Sequence, residues 1–247
     1  MAGAALLGRL TWLVTEVMDA VEETARVRTL VLEADGWERH RPGQHVDVRL
    51  TAEDGYQAER SYSIASAPGQ HLALTVERLE DGEVSPYLVD EAREGDRFEI
   101  RGPIGGYFVW DGGGGPLLLV GGGSGVVPLM SMIRHRAATG DETPVRLLYS
   151  SRTYEDVIYR AELDELASHG DGFEVFHALT RSQPDRWAGF SRRIDAEMLR
   201  EVAWPASDQP RVFVCGSTRF VDTAADGLVA MGYPPESIRT ERFGATG

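Results

Sequence analysis

The chain has 247 residues, enough for two hydrophobic cores, and its formal charge of −14 argues against a nucleic-acid partner, whose phosphates need a basic face. A single cysteine, Cys215, excludes a disulfide framework and a cysteine-ligated iron-sulfur cluster within the chain, so a cluster-bearing partner would be a separate protein. Lysine and asparagine are absent, which removes a phosphate-loop lysine, a Schiff-base lysine and an Asn-linked glycan, and leaves arginine as the fixed cation.

The charge is unevenly spread. Residues 1–111 carry 11 Arg against 21 Asp and Glu, a balance of −10, whereas residues 112–247 carry 14 against 18, a balance of −4. The second part is therefore the better host for an anionic ligand. Residues 1–8 have no positive n-region, and Arg9 interrupts the apolar run too early for a signal peptide, so a cytoplasmic protein is expected. Residues 112–133 are uncharged, but eight glycines and two prolines among these 22 positions favour linker, buried strand, turn and helix start over a membrane span.

In chain order, strands are predicted at 9–18, 26–34, 45–52, 59–65, 71–79 and 97–101, with a short helix at 85–92. Six short strands divided by Gly, Pro and Asp turns predict a six-stranded antiparallel Greek-key β-barrel. The glycines at 112–115 and Pro116 mark a boundary, giving a barrel domain over 1–111 and a second domain over 112–247. Beyond it, apolar runs at 117–120, 145–149, 173–179, 211–215 and 238–241 alternate with helical patterns at 127–138, 155–168, 194–203 and 220–231. This alternation predicts a doubly wound α/β domain on a five-stranded parallel sheet, which binds ligands at the carboxyl ends of its strands.

The chemistry-bearing residues fall at those places. Near the end of the fourth strand, Arg60-Ser61-Tyr62-Ser63 combines a cation, an aromatic face and hydroxyls, with the turn Ala67-Pro68-Gly69 close behind. An arginine fork suits a pyrophosphate and a tyrosine ring suits a planar cofactor, although a solvated strand with Arg60 and Tyr62 on one face accounts for the same residues. Gly82-Glu83-Val84-Ser85 leads into the short helix and offers an anion site. The loop from Gly121 to Pro128 follows the first parallel strand and opens a helix, the setting in which glycines let backbone approach a diphosphate. Pro128 replaces the third glycine of the usual dinucleotide fingerprint.

Where an NAD site offers a carboxylate to the ribose diol, the second and third parallel strands end in Ser150-Ser151-Arg152 and Thr180-Arg181. Hydroxyls and arginines there suit a 2'-phosphate, and hence NADPH over NADH; ordinary surface arginines are the other reading. Cys215-Gly216 closes the fourth parallel strand, where a lone cysteine is most often a small buried hydrophobe. Neither a histidine metal site nor a Ser, His and acid set stands out.

Arg60-Ser61-Tyr62-Ser63, Gly82-Glu83-Val84-Ser85, Gly102-Pro103, the 121–128 loop, Cys215-Gly216 and a near-terminal aromatic, in this order over nearly the whole chain, resemble the ferredoxin-NADP reductase family of flavoproteins. The resemblance implies that Arg60 binds the FAD pyrophosphate, Tyr62 stacks on the isoalloxazine, and Ser63 bonds the ring nitrogen that receives hydride. It places Ser61 and Val76 in the same flavin set, with Gly82, Val84 and Ser85 holding the diphosphate through backbone and hydroxyl. It assigns Gly123, Ser124 and Gly125 to the NADP diphosphate, and Thr180 and Arg181, beside Arg152, to the 2'-phosphate. Cys215 with Gly216 goes to the nicotinamide edge, Glu241 to a proton relay and Phe243 to a cover over the flavin. For Tyr62 and Ser63 both to meet a flavin, the strand must end or twist between them.

Two departures stand out. Ser217 occupies the position after Cys-Gly that the family gives to proline, and residues 245–247 extend beyond the aromatic. The activity implied is an FAD enzyme that takes hydride from NADPH and passes single electrons to a separate acceptor protein, a ferredoxin or a haem protein. A reductase of free flavin or a small oxidant, and an electron-transfer subunit of a larger complex, are the alternatives.

Overall fold

The computed structural model describes residues 10–243; the signal-peptide reading of 1–8, Arg9 of the first predicted strand, and the extension at 245–247 lie outside them. Six antiparallel strands come first: β1 Leu13–Thr24, β2 Val27–Ala34, β3 His45–Thr51, β4 Gln57–Ser63, β5 Leu72–Glu77 and β6 Arg97–Ile104. Their order across the sheet is β4-β3-β6-β1-β2-β5. The sheet closes because the chain leaves β3 after Ser63: Ile64 bridges Leu74, and Ala65 N donates to Ala73 O at 2.8 Å. Val17, Leu30, Val48, Leu74 and Ile100 fill the interior.

The limits of several elements differ from the sequence prediction. β1 begins at Leu13 and runs on to Thr24, because irregularities at Val17/Asp19 and Glu22/Thr24 break the apolar alternation while pairing with β2 continues. β4 ends two residues early because Ile64 and Ala65 transfer to β5. β6 continues three residues past the predicted end. The segment predicted as a helix at 85–92 is helical, but its last turn is widened over Tyr87–Glu91, with Ala92 N donating to Tyr87 O at 2.8 Å.

The second sheet comprises β7 Leu117–Gly122, β8 Val145–Ser151, β9 Phe173–Leu179, β10 Arg211–Gly216 and β11 Ile238–Arg242, all parallel, in the order β11-β10-β7-β8-β9. Helices α1 Val126–Thr139, α2 Arg160–Ser168, α3 Ala196–Val202 and α4 Thr218–Ala230 join the strands. α2 starts five residues later than predicted. Thr153 bonds Asp156 through both its amide and its hydroxyl, and Tyr159 stands at φ 58°, so 153–159 is a turn that the helical period hides. β7 and β10 are neighbours although their connections run opposite ways, which makes their carboxyl ends the topological switch point of the sheet.

β5 joins the two units. Its inward residues Leu72, Leu74 and Val76 belong to the barrel core, whereas Ala73 packs into the core beneath the parallel sheet together with Phe108, Leu119 and Phe213. A strand buried on both faces therefore serves two cores. Ser131 Oγ donates to Ser66 O at 2.7 Å and Arg134 donates to Ala65 O at 2.8 Å, so α1 is also fixed to the chain that closes the barrel.

Candidate active site

On the barrel side the site begins where β4 ends. Tyr62 faces Val46 and Ser63 faces His45 across β3, and the strand stops at Ser63. This ending frees Ser63 from strict alternation with Tyr62. Tyr62 is half-buried against the barrel core, and its burial raises the phenol pKa. The hydroxyl of Ser61 donates to Asp47 at 2.7 Å, and Asp47 pairs with Arg101 at 2.7 Å, so Ser61 is engaged on the outer wall.

Arg60 crosses from β4 to the segment before the widened helix and pairs with Glu83 at 2.9 Å. Glu83 also accepts the Tyr56 hydroxyl at 2.5 Å, and this bond, with Arg60 behind it, holds the Glu83 carboxyl below its usual range. The tetrad and the 82–85 motif are thus brought together, and the guanidinium already holds an oxyanion in the place where a diphosphate is expected. Ser85 is buried and its Oγ accepts from Leu79 N at 3.0 Å, so the hydroxyl braces the loop. Val76 and Val84 are wholly buried in the barrel core.

On the sheet side, Gly122 ends β7, Gly123 turns at φ 57°, and α1 starts at Val126. Gly125 lies against the end of β10 so closely that a Cβ there would sit 2.1 Å from Cys215 O. Glycine is required at this position, and it locks the loop to Cys215-Gly216. Gly216 packs against the Phe220 ring. Ser217 stands at the N-cap of α4 in extended conformation, and its side chain makes no capping bond. The Ser124 hydroxyl donates to Glu77 Oε2, at the end of β5, at 2.7 Å.

Cys215 is fully buried in the core that joins the two units; burial, then the nearby Glu241 carboxylate, raises its thiol well above the ordinary value. The nicotinamide-edge position is therefore covered in this arrangement. Glu241 is the register partner of Cys215 on β11. Its Oε2 is buried without a hydrogen-bond partner among the described residues, and burial pushes its pKa up to about 7. Phe243 follows, its N donating to Gly216 O at 3.1 Å and its ring packed on the joining core.

At the outer end of the cleft, Thr180 N donates to Ser151 O at 3.0 Å and Arg181 N to Arg152 O at 2.8 Å. Thr180 also gives its hydroxyl to Ser151 O at 3.2 Å. The two strand ends are thereby joined, with Arg152 and Arg181 both exposed. Two surface hollows of 290 and 370 Å³ lie elsewhere, one beside Trp37 on the barrel and one at the opposite end of the parallel sheet beside Arg211. Among the described residues no group of three or more His, Cys, Asp or Glu could hold a metal ion, and no helix is long and apolar enough to cross a membrane.

The residues present fit an FAD and a nicotinamide dinucleotide. Arg60 supplies a cation already on an oxyanion, Gly125 admits only backbone at the loop, and the buried Glu241 Oε2 lacks a partner among the described residues. Glu77 lies in no motif of the sequence, and Glu83, though inside the 82–85 motif, has no role assigned to its side chain there. Both gain importance only through contacts with Ser124 and Arg60, 47 and 23 positions away.

A closed antiparallel barrel joined to a doubly wound sheet, with a glycine loop and a Cys-Gly end meeting at the switch point, defines a two-domain oxidoreductase of the flavin and nicotinamide type. Residues 14–109 match the oxidoreductase FAD-binding domain and residues 119–226 the oxidoreductase NAD-binding domain. The chain is 35% identical to ferredoxin--NADP reductase B of Sorangium cellulosum, over 81% of its own length and 84% of that protein's. The chain belongs to the ferredoxin-NADP reductase family of flavoproteins. It is also 33% identical to the glycine betaine monooxygenase reductase subunit of Chromohalobacter salexigens, over 92% of this chain, and spans 62% of that relative's length. In fold it resembles the flavohem-like FAD/NAD binding domain of nitric oxide dioxygenase from Vibrio cholerae, with TM-score 0.85 and 23% identity over 94% of this chain and 98% of that one.

Proposed function

We propose that this protein takes reducing equivalents from NADPH at the cleft between barrel and sheet and passes electrons singly to a separate acceptor protein. Residues 1–111 form the flavin part and 112–247 the nicotinamide part in this reading. The observation that carries it is Glu241, the register partner of Cys215, whose Oε2 is buried without a hydrogen-bond partner among the described residues, one strand from the switch point. Bound FAD supplies the conversion between electron pairs and single electrons.

The protein's own contribution is placement and electrostatics. Arg60, paired with Glu83 here, would hold the flavin diphosphate together with the backbone of Gly82, Val84 and Ser85. Tyr62 offers its ring to the isoalloxazine, and Ser63, at the end of β4, presents its hydroxyl to the reactive edge. The backbone of Gly123, Ser124 and Gly125 receives the nucleotide diphosphate. Arg152, Thr180 and Arg181 receive the 2'-phosphate, which favours NADPH over NADH. Glu241, titrating near neutrality, holds or releases a proton at the cleft. Phe243 would cover the flavin until nicotinamide takes its place beside Cys215 and Gly216.

A separate protein acceptor is supported by the relatives named as reductase subunits and components of monooxygenases. The barrel's balance of −10 repels an acidic ferredoxin unless arginines gather at the contact, so electron transfer to acidic and basic acceptors will differ in salt dependence. A nicotinamide donor fits a cytoplasmic site of action. The test is anaerobic titration: the purified protein is yellow and bleaches with NADPH. A colourless protein that neither binds FAD nor oxidises NADPH overturns the proposal.

A further inference from the structure

The strongest unassigned contact in the cleft is between Ser124 and Glu77. Ser124 lies in the glycine loop, between Gly123 at φ 57° and Gly125, which presses on Cys215 O. The loop has no room to withdraw on the β10 side, so its hydroxyl faces the barrel. There it meets the carboxylate of Glu77, the last residue of β5, at 2.7 Å. Glu77 is half-buried, and no arginine pairs with it among the described residues.

We infer that Glu77 is an affinity-setting residue for the dinucleotide: its carboxylate takes the hydroxyl of Ser124 and stands against the nucleotide diphosphate, which enters by displacing it. This rests on the reading of the glycine loop as the diphosphate site. Two consequences follow from charge and geometry. The hydroxyl proton that a phosphate oxygen would accept is already committed to a carboxylate. A negative charge on the barrel rim also faces an incoming ligand of like charge in a partly buried cleft, where screening is weak. Glu77 thus weakens nucleotide binding and favours release of the oxidised product, while its bond to Ser124 holds the empty loop in shape.

The sign separates this role from a purely structural one. A structural hydrogen bond that preorganises the loop would make binding weaker when removed; an opposing charge makes binding tighter when removed. Calorimetric titration of the purified holoprotein with NADP+ and with 2'-AMP reads the difference without turnover. Glu77→Gln, which keeps the shape and an acceptor oxygen, is expected to lower the Kd for NADP+ about tenfold, equivalent to ~1.4 kcal/mol, and to leave 2'-AMP unchanged. 2'-AMP reaches the arginine end of the site but not Ser124. Glu77→Ala provides a second arm and is expected to change NADP+ in the same direction.

An unchanged or raised Kd for NADP+ in both variants overturns the inference. So does equal tightening of NADP+ and 2'-AMP, which would report a general field instead of a contact at the loop. If neither the natural protein nor the variants bind NADP+ or NAD+, the reading of the glycine loop fails and the inference falls with it. Binding by the natural protein, with no tightening in the variants, removes the inference alone.

Discussion

Cys215 and Glu241 lie side by side as register partners on β10 and β11, and the carboxyl oxygen of Glu241 is buried there without a hydrogen-bond partner among the described residues. Burial moves the Glu241 pKa from 4.5 to about 7. Between those values the folded protein holds a proton that the unfolded chain has released, so stability falls as pH rises through that window. The penalty is absent below about pH 4.5, complete above about pH 7, and roughly 3 kcal/mol at most. Glu241→Gln is expected to melt with the natural protein near pH 4.5 and above it at pH 8. Equal melting differences at both values would show that Glu241 titrates as an ordinary surface carboxyl.

The thiol of Cys215 is expected to be inert in the native state. It is fully buried, and both burial and Glu241 disfavour its thiolate. Reaction with a disulfide reagent at pH 8 should proceed at least about a hundredfold more slowly than with a free thiol and recover on unfolding. Stoichiometric labelling of the folded protein within minutes would place the sulfur at an open surface instead.

Gly125→Ala tests the lock between the glycine loop and β10. The added carbon would lie 2.1 Å from Cys215 O and 2.6 Å from its carbonyl carbon, both backbone atoms. One of the two chains must move, at a cost of about 3 kcal/mol or more in unfolding free energy, and nucleotide binding is lost with the loop's shape. Gly106→Ala is the control, since nothing among the described residues lies within 4 Å of a Cβ there. A Gly125→Ala protein as stable to urea as the Gly106→Ala protein would show that the loop does not press on β10.

Much of this site is legible in the sequence because its parts are local. Apolar runs mark the strands, and Cys215-Gly216 and the 121–128 loop follow directly from strand ends. The contacts that set the site's electrostatics are not local. Nothing near Glu77 distinguishes it from the other acidic residues of the barrel, Glu83 has no role of its own within the 82–85 motif, and both acquire partners only when β5 meets the loop and β4 meets the 82–85 segment. The late start of α2 is hidden for a similar reason. The Tyr159 hydroxyl bonds Thr75 on β5, and its ring carries Arg134 at 4.7 Å, so tertiary contacts hold it at positive φ against a helical pattern.

In the proposed 2'-phosphate site, Arg181 is the residue that would discriminate between the two nicotinamide donors. Its amide is fixed to Arg152 O and its side chain is exposed at the end of β9, so its guanidinium is free to meet a ligand phosphate without losing a buried contact. NADPH differs from NADH by the 2'-phosphate alone, and a charge-assisted pair with that group is worth about 1.5–3 kcal/mol. Arg181→Ala is therefore expected to lower kcat/KM for NADPH roughly 10- to 100-fold through KM, with NADH changed by less than about threefold. Arg152→Ala should act in the same direction, and the double variant should approach equal use of both donors. Steady-state rates with each donor and a dye acceptor measure this directly. Equal losses with NADPH and NADH would assign Arg181 to the fold of the strand end, because removal of a 2'-phosphate contact cannot weaken a donor that lacks the group.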